Sequence, residues 1–174
     1  AEETLELIHQ AGGMGETVCF DVADQEATGQ NIEALLTRHE VIDILVNNAG
    51  ETADSLFALM SSEEWMKVLN TSLQGFYNVT KPVLMKMVTR KRGSIVTISS
   101  VSARLGQRGQ TNYAAAKAGL EGACRSLASE VARLKGPATT EELSARNRFR
   151  GVVRAVEIEG FLAAAEGVID HRFL

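Results

Sequence analysis

Tyr113 and Lys117 stand four residues apart in the run T-N-Y-A-A-A-K-A-G-L, and on a helix that spacing puts both on one face. A phenol beside an ammonium is suited to proton transfer near neutral pH, because the positive charge favours the phenolate left behind. Upstream, the apolar, β-branched run of Ile95, Val96 and Ile98 ends in Ser99 and Ser100, and a loop with Gly106 and Gly109 follows. A serine hydroxyl at the C-terminal end of a strand can hydrogen-bond the oxygen that receives the proton. Alone, Y-x-x-x-K is a weak motif that a solvated helix face explains four times in five. Here strand, serine, glycine loop and Tyr/Lys helix come in order, and N-N-A-G lies upstream at Asn47 to Gly50.

The elements that must position these groups can be read from periodicity. Leu5, Ile8 and Ala11 fall at helical spacing, and Gly12 and Gly13 end that helix. Glu16 to Val22 reads as a short strand, closing on Asp21 and Val22. A second helix is expected from Asp24 to His39, with Ile32, Leu35 and Leu36 on one face. Val41 to Val46 is apolar enough for a strand buried on both faces of a parallel sheet, and it runs straight into Asn47. Small residues in that turn let the backbone approach a flat ring, and an Asn amide can tie the turn to neighbouring strands. Ser61 or Ser62 caps a long helix carrying Trp65, Val68, Leu69, Leu73 and Phe76 toward Arg90, with a kink expected at Pro82. The Tyr/Lys helix continues through Leu120, Cys124, Leu127 and Val131 to about Lys135, where Gly136 and Pro137 stop it.

This ordered set resembles the short-chain dehydrogenase/reductase family over roughly residues 1 to 135. Ser100, Tyr113 and Lys117 match the family's catalytic Ser, Tyr and Lys, with the expected thirteen-residue step from Ser to Tyr. The wording G-S-I-V-T-I-S-S-V and G-Q-T-N-Y-A-A-A-K-A-G-L is most similar to the family's reductases of 3-oxoacyl thioesters carried on acyl carrier protein. The resemblance implies an α/β fold, a partial doubly wound (Rossmann-like) parallel sheet flanked by helices. It implies reduction of the 3-oxoacyl group to the 3-hydroxyacyl form, as in fatty acid biosynthesis, with NADPH by analogy and NADH left open. It also implies that Asp21 and Val22 meet the adenine end of the cofactor, that Asn48, Ala49 and Gly50 line its crevice, and that Tyr113 and Lys117 reach its ribose. From the residues alone, Asp21 serves equally as a cap for the next helix. Family members often pair through the helices matching 63–90 and 111–135, so a homo-oligomer is expected.

The sequence departs from the family in four places. Glu51 stands where an apolar residue is usual. Ser72 falls on the family's fourth catalytic residue, an Asn, and Asn70 is on the opposite side of the helix. The phosphate-binding loop T-G-x-x-x-G-I-G is missing, and Gly12, Gly13 and Gly15 follow a helix and precede a strand, the wrong order to replace it. The strands found match the third, fourth and fifth of a 3-2-1-4-5-6 sheet, so the third lacks its neighbours. The sequence therefore reads as a truncated reductase lacking the first two strands, with a domain at 1–135 and an unaligned tail at 136–174 packed on it. Two other readings stay open: a dehydrogenase of another alcohol or ketone, and an inactive fragment or scaffold.

Composition narrows the classes. With 174 residues, 45% hydrophobic and 23% charged, the chain has material for one globular core. A net charge of −4 argues against a nucleic-acid partner, and Arg90, Lys91 and Arg92 read as a solvated helix end. No apolar run approaches the ~20 residues of a membrane-spanning helix. No signal peptide is visible, Cys19 and Cys124 read as core thiols, and a cytoplasmic location is expected. His9, His39 and His171 show no ligand spacing, so no metal is expected.

Overall fold

A computed structural model of the chain describes residues 1–134. The predicted tail at 136–174 lies outside the described residues. The elements in order are α1 (Glu2–Gln10), α2 (Gln25–Arg38), β1 (Ile44–Asn47), α3 (Ser62–Leu69), a π-helical turn (Asn70–Gln74), α4 (Gly75–Arg90), β2 (Ser94–Thr97), α5 (Ser102–Leu105) and α6 (Thr111–Leu134). β1 and β2 pair in parallel, with Ile44 opposite Ser94 and Asn47 opposite Thr97. The α/β class is therefore as expected: a two-stranded parallel remnant of a doubly wound sheet, flanked by helices.

The helix ends obey local chemistry. Asp24 caps α2 by accepting from the Ala27 N–H, so Asp21 does not serve as that cap. Ser61 and Glu64 form a reciprocal capping box on α3. Gly12, at φ 79°, ends α1 by donating to the His9 carbonyl while Gly13 donates to that of Ile8. Gly12 and Gly13 are thus a helix stop, as their order in the sequence indicated.

The core lies on one face of the sheet. Ile32 of α2 and Val83 and Met87 of α4 are buried together, and Leu45 and Ile95 of the two strands pack on them with Phe20, Leu35 and Leu36. Successive strand residues face opposite ways, so Ile44 and Val46 point away from this core. Each is 54% exposed. The expectation that this strand is covered on both faces is corrected: no helix among the described residues covers the second face.

Four further expectations change. Glu16 to Val22 is not a strand, because no ladder partner lies beside it among the described residues. It is held instead by side chains: Glu16 bonds Arg38 at 3.1 Å and His39 at 2.7 Å, and the Asn78 amide donates to the Val22 carbonyl at 2.9 Å. Cys19, in this segment, is exposed, and Cys124 is only half-buried, so neither is a core thiol. The long helix toward Arg90 is broken at Asn70–Gln74, upstream of Pro82, by one π turn. Arg90 is not a solvated end: its guanidinium donates to the carbonyls of Ile42 and Arg92 and pins α4 to the start of β1.

Gly75 and Gly29 predict opposite responses to one substitution. A Cβ on Gly75 would lie 2.8 Å from Cγ2 and 3.2 Å from Cβ of Val22, a stiff β-branched side chain, whereas one on Gly29 meets nothing within 4 Å. Gly75→Ala should lower unfolding stability by about 1–3 kcal/mol. Gly29→Ala should raise it by about 0.5–1 kcal/mol through helix propensity. Urea unfolding of both variants checks the signs.

Candidate active site at the strand ends

The site is built from the C-terminal ends of β1 and β2 and the first turns of α6. After β1 come Asn47 to Gly50. The Asn47 amide donates to the Thr80 hydroxyl on α4 at 3.0 Å, tying the turn to a helix rather than to a neighbouring strand. Asn48, Ala49 and Gly50 are exposed. Gly50 runs close under Lys117: a Cβ at this position would lie 3.2 Å from the ammonium nitrogen. Any larger residue there would press on Lys117.

Lys117 is 3% exposed. Its Nζ donates to the Ile98 carbonyl at 2.9 Å, just past the end of β2, and lies 5.6 Å from the centre of the Tyr113 ring. The predicted Tyr/Lys pair therefore forms, and it is anchored to the strand that precedes Ser100. Burial pushes the Lys117 ammonium below its ordinary pKa. Ser100 is half-buried, and its Oγ accepts from the Ser102 N–H at 3.2 Å. No hydrogen bond links Ser100 to Tyr113 among the described residues.

Asp21 and Val22 sit apart from this cluster, at the entry to α2. Asp21 is exposed, and its carboxylate accepts from the Ala23 N–H at 2.8 Å. Val22 is held by Gly75 and Asn78 of α4, and the Thr28 hydroxyl donates to the Asp21 carbonyl at 3.1 Å. Ser72 lies in the π turn, 2% exposed, with an Oγ that has no partner among the described residues.

Two residues that sequence reasoning passed over hold the site together. Asn112 is fully buried: its amide donates to the Ala53 carbonyl at 2.9 Å and the Glu64 carbonyl at 3.2 Å, while its oxygen accepts from the Tyr113 N–H at 2.8 Å. One side chain thus joins the loop after Gly50, α3 and the residue with the phenol. Its only signal in the sequence was a polar residue directly before Tyr113. Glu121 accepts from the Ser99 hydroxyl at 2.8 Å, one turn of α6 beyond Lys117. Glu51, unexplained in the sequence, pairs with Lys67 at 2.8 Å and accepts from the Thr71 hydroxyl. Burial pushes its carboxyl up, but the hydrogen bonds from Lys67 and Thr71 outweigh that and hold it below the usual carboxylate range.

Comparison with known proteins shows the family. The sequence profile described as short chain dehydrogenase matches residues 1–135. The chain belongs to the short-chain dehydrogenase family. It is 40% identical over 136 residues to a 3-oxoacyl-[acyl-carrier-protein] reductase FabG of Aggregatibacter actinomycetemcomitans, covering 78% of this chain and 56% of that protein. It is 42% identical over 131 residues to the FabG of Pseudomonas aeruginosa, covering 75% and 53%. An acetoacetyl-CoA reductase of an Acinetobacter species is 45% identical over 116 residues, covering 67% and 47%. The chain spans about half the length of the curated relatives it matches.

The residues present fit one end of the nicotinamide cofactor that the family implies. Exposed backbone at Asn48 to Gly50 lies against a buried ammonium that has spent one of its three donors. For the pyrophosphate, residues 1–134 offer no glycine-rich strand-to-helix cradle, since Gly13 and Gly15 pack on Ile8 and Leu5 of α1.

The burial of Lys117 predicts a stability cost with a definite pH dependence. Its folded pKa is depressed, so the unfolded chain binds more protons and the folded state gains as pH rises toward the unfolded value. Lys117→Met should be at least as stable as the wild type at pH 7. The difference between them should shrink as pH rises through the alkaline range, which chemical denaturation at stepped pH would measure.

Proposed function

We propose that the chain carries the catalytic half of a reductase of 3-oxoacyl thioesters. Asn48 to Gly50 would hold a nicotinamide, which when bound would supply the hydride for the ketone carbon, and NADPH is the form expected from the FabG relatives. Tyr113 gives its hydroxyl proton to the carbonyl oxygen, and the product is the 3-hydroxyacyl thioester. Ser100 donates a hydrogen bond to the same oxygen and orients it. Lys117 places its charge beside the Tyr113 ring, stabilises the phenolate left after transfer, and offers its remaining donors to the cofactor's ribose hydroxyls. Asp21 and Val22 are proposed to meet the adenine end.

One observation carries the reading: Lys117 is buried at cost, held on the Ile98 carbonyl between the Gly50 backbone and the Tyr113 ring. A structural lysine would gain more from a carboxylate or from solvent. The acyl-carrier-protein and coenzyme A carriers named in the relatives share the 3-oxoacyl thioester, so that group is taken as the substrate. Exposed Tyr77 and Met85 on α4, with Met66 on α3, suit pairing of two copies through these helices.

Ser72 favours a second reading. At the position where the family has its fourth catalytic residue, its buried hydroxyl has no partner among the described residues, as a cofactor-free scaffold would tolerate.

The test is turnover of acetoacetyl thioesters, on acyl carrier protein and on coenzyme A, followed by nicotinamide absorbance. Wild-type turnover should fall by about 10²–10⁴-fold in Tyr113→Phe. No turnover and no NADPH binding at millimolar concentration would overturn the reductase reading of this chain in favour of an inactive fragment or scaffold.

A further inference from the structure

We infer that Glu121 is a positioning residue that sets the Ser100 segment against α6. The inference rests on the proposed reductase reading for its catalytic consequence, but not for its structural one. Ser100 lies between two groups that one carboxylate holds. On its N-terminal side, the Ser99 hydroxyl donates to Glu121 Oε1 at 2.8 Å. On its C-terminal side, Arg104 of α5 lies 3.6 Å from Glu121 Oε2, a position Arg125 of α6 also reaches at 3.6 Å. One turn earlier on the same helix, Lys117 holds the Ile98 carbonyl at 2.9 Å. The strand end and the turn after it are thus fastened to α6 by Lys117 and Glu121, and α6 also carries Tyr113.

The contacts do not weigh equally. Arg104 and Arg125 are 53% and 54% exposed, and such surface pairs are worth little. The Glu121 side chain is 18% exposed, so its hydrogen bond to Ser99 is sheltered and charge-assisted. The Ser99 hydroxyl, and after it the two guanidiniums, outweigh burial and hold the carboxyl below its usual range. Among the described residues, Ser100 itself bonds only within its own turn, to the Ser102 N–H. Its placement relative to Tyr113 therefore depends on the backbone at Ser99, which Glu121 restrains. A misplacement on the order of 1 Å at a reacting group can cost about 10²-fold in rate.

The test uses the full chain with Glu121→Leu, Glu121→Gln and Ser99→Ala. Glu121→Leu and Ser99→Ala should each lower kcat by about 10–100-fold with KM for NADPH within about twofold. Glu121→Gln, which keeps an acceptor for Ser99, should recover most of the rate. The double variant should be no worse than either single one. Hydrogen exchange at residues 98–104 should speed up in the leucine and alanine variants and stay near wild type in the glutamine variant. If Glu121→Leu fails to fold, Ser99→Ala alone carries both readouts. Unchanged kcat and unchanged exchange in Ser99→Ala overturn the inference. Equal losses in kcat and in global stability, with no recovery in Glu121→Gln, overturn it as well. A wild type no faster than Tyr113→Phe sinks the reductase reading instead, and exchange at 98–104 then decides the role of Glu121 by itself.

Discussion

The hydrogen bond from the Lys117 ammonium to the Ile98 carbonyl is the constraint around which this half-sheet is arranged. Among the described residues this buried cation has one neutral acceptor, and its removal from water is repaid only in part by that bond. The fold keeps it because α6 and β2 meet there. Lys117 spans from the helix to the strand end, and the Gly50 backbone passes beneath its tip. The missing side chain of Gly50 leaves room for that close approach, and a Cβ there would make the ammonium shift by a few tenths of an ångström. The cost of burying the charge and the chemistry proposed for it have the same origin: few competing ligands and little water.

Around this contact the molecule spends its buried polar groups on holding turns rather than on filling space. Asn47 fastens the turn after β1 to Thr80, Asn112 fastens the next loop to α3 and to Tyr113, and Glu51 fastens it to Lys67 and Thr71. Apart from the contact between the neighbours Asn112 and Tyr113, each bond links residues far apart in the chain. Turns at the ends of parallel strands have few backbone partners of their own, so side chains must supply them. The same logic explains the segment from Glu16 to Val22. Without a ladder it is tethered by Arg38, His39, Thr28 and Asn78.

A second Y-x-x-x-K pair shows what spacing alone is worth. Tyr77 and Lys81 on α4 make a 2.9 Å hydrogen bond from Nζ to the phenol oxygen, shorter range than anything between Tyr113 and Lys117. Yet Tyr77 and Lys81 are both exposed, with no strand end or glycine turn against them among the described residues. Solvent screens such a pair. Burial and the neighbouring turn, not the four-residue step, distinguish the pair on α6.

The sequence by itself determined what depends on neighbours in the chain. Periodicity located α1, α2 and α6, glycines marked the end of α1, and a serine marked the cap of α3. The order of strand, serine, glycine loop and Tyr/Lys helix pointed to the family that the comparisons show. These features are local, and local propensity and spacing record them. Only the tertiary structure decided the rest. Ile44 and Val46 are exposed although their run is apolar, because burial depends on what packs against a face and not on the face's composition. Glu16 to Val22 has strand-like residues but no strand, because a ladder needs a partner. The π turn at Asn70–Gln74, the anchoring by Asn112 and the partners of Glu51 and Glu121 all arise from contacts between distant segments. No pattern within one segment records such a contact, since the energy that selects it appears only when both segments are in place.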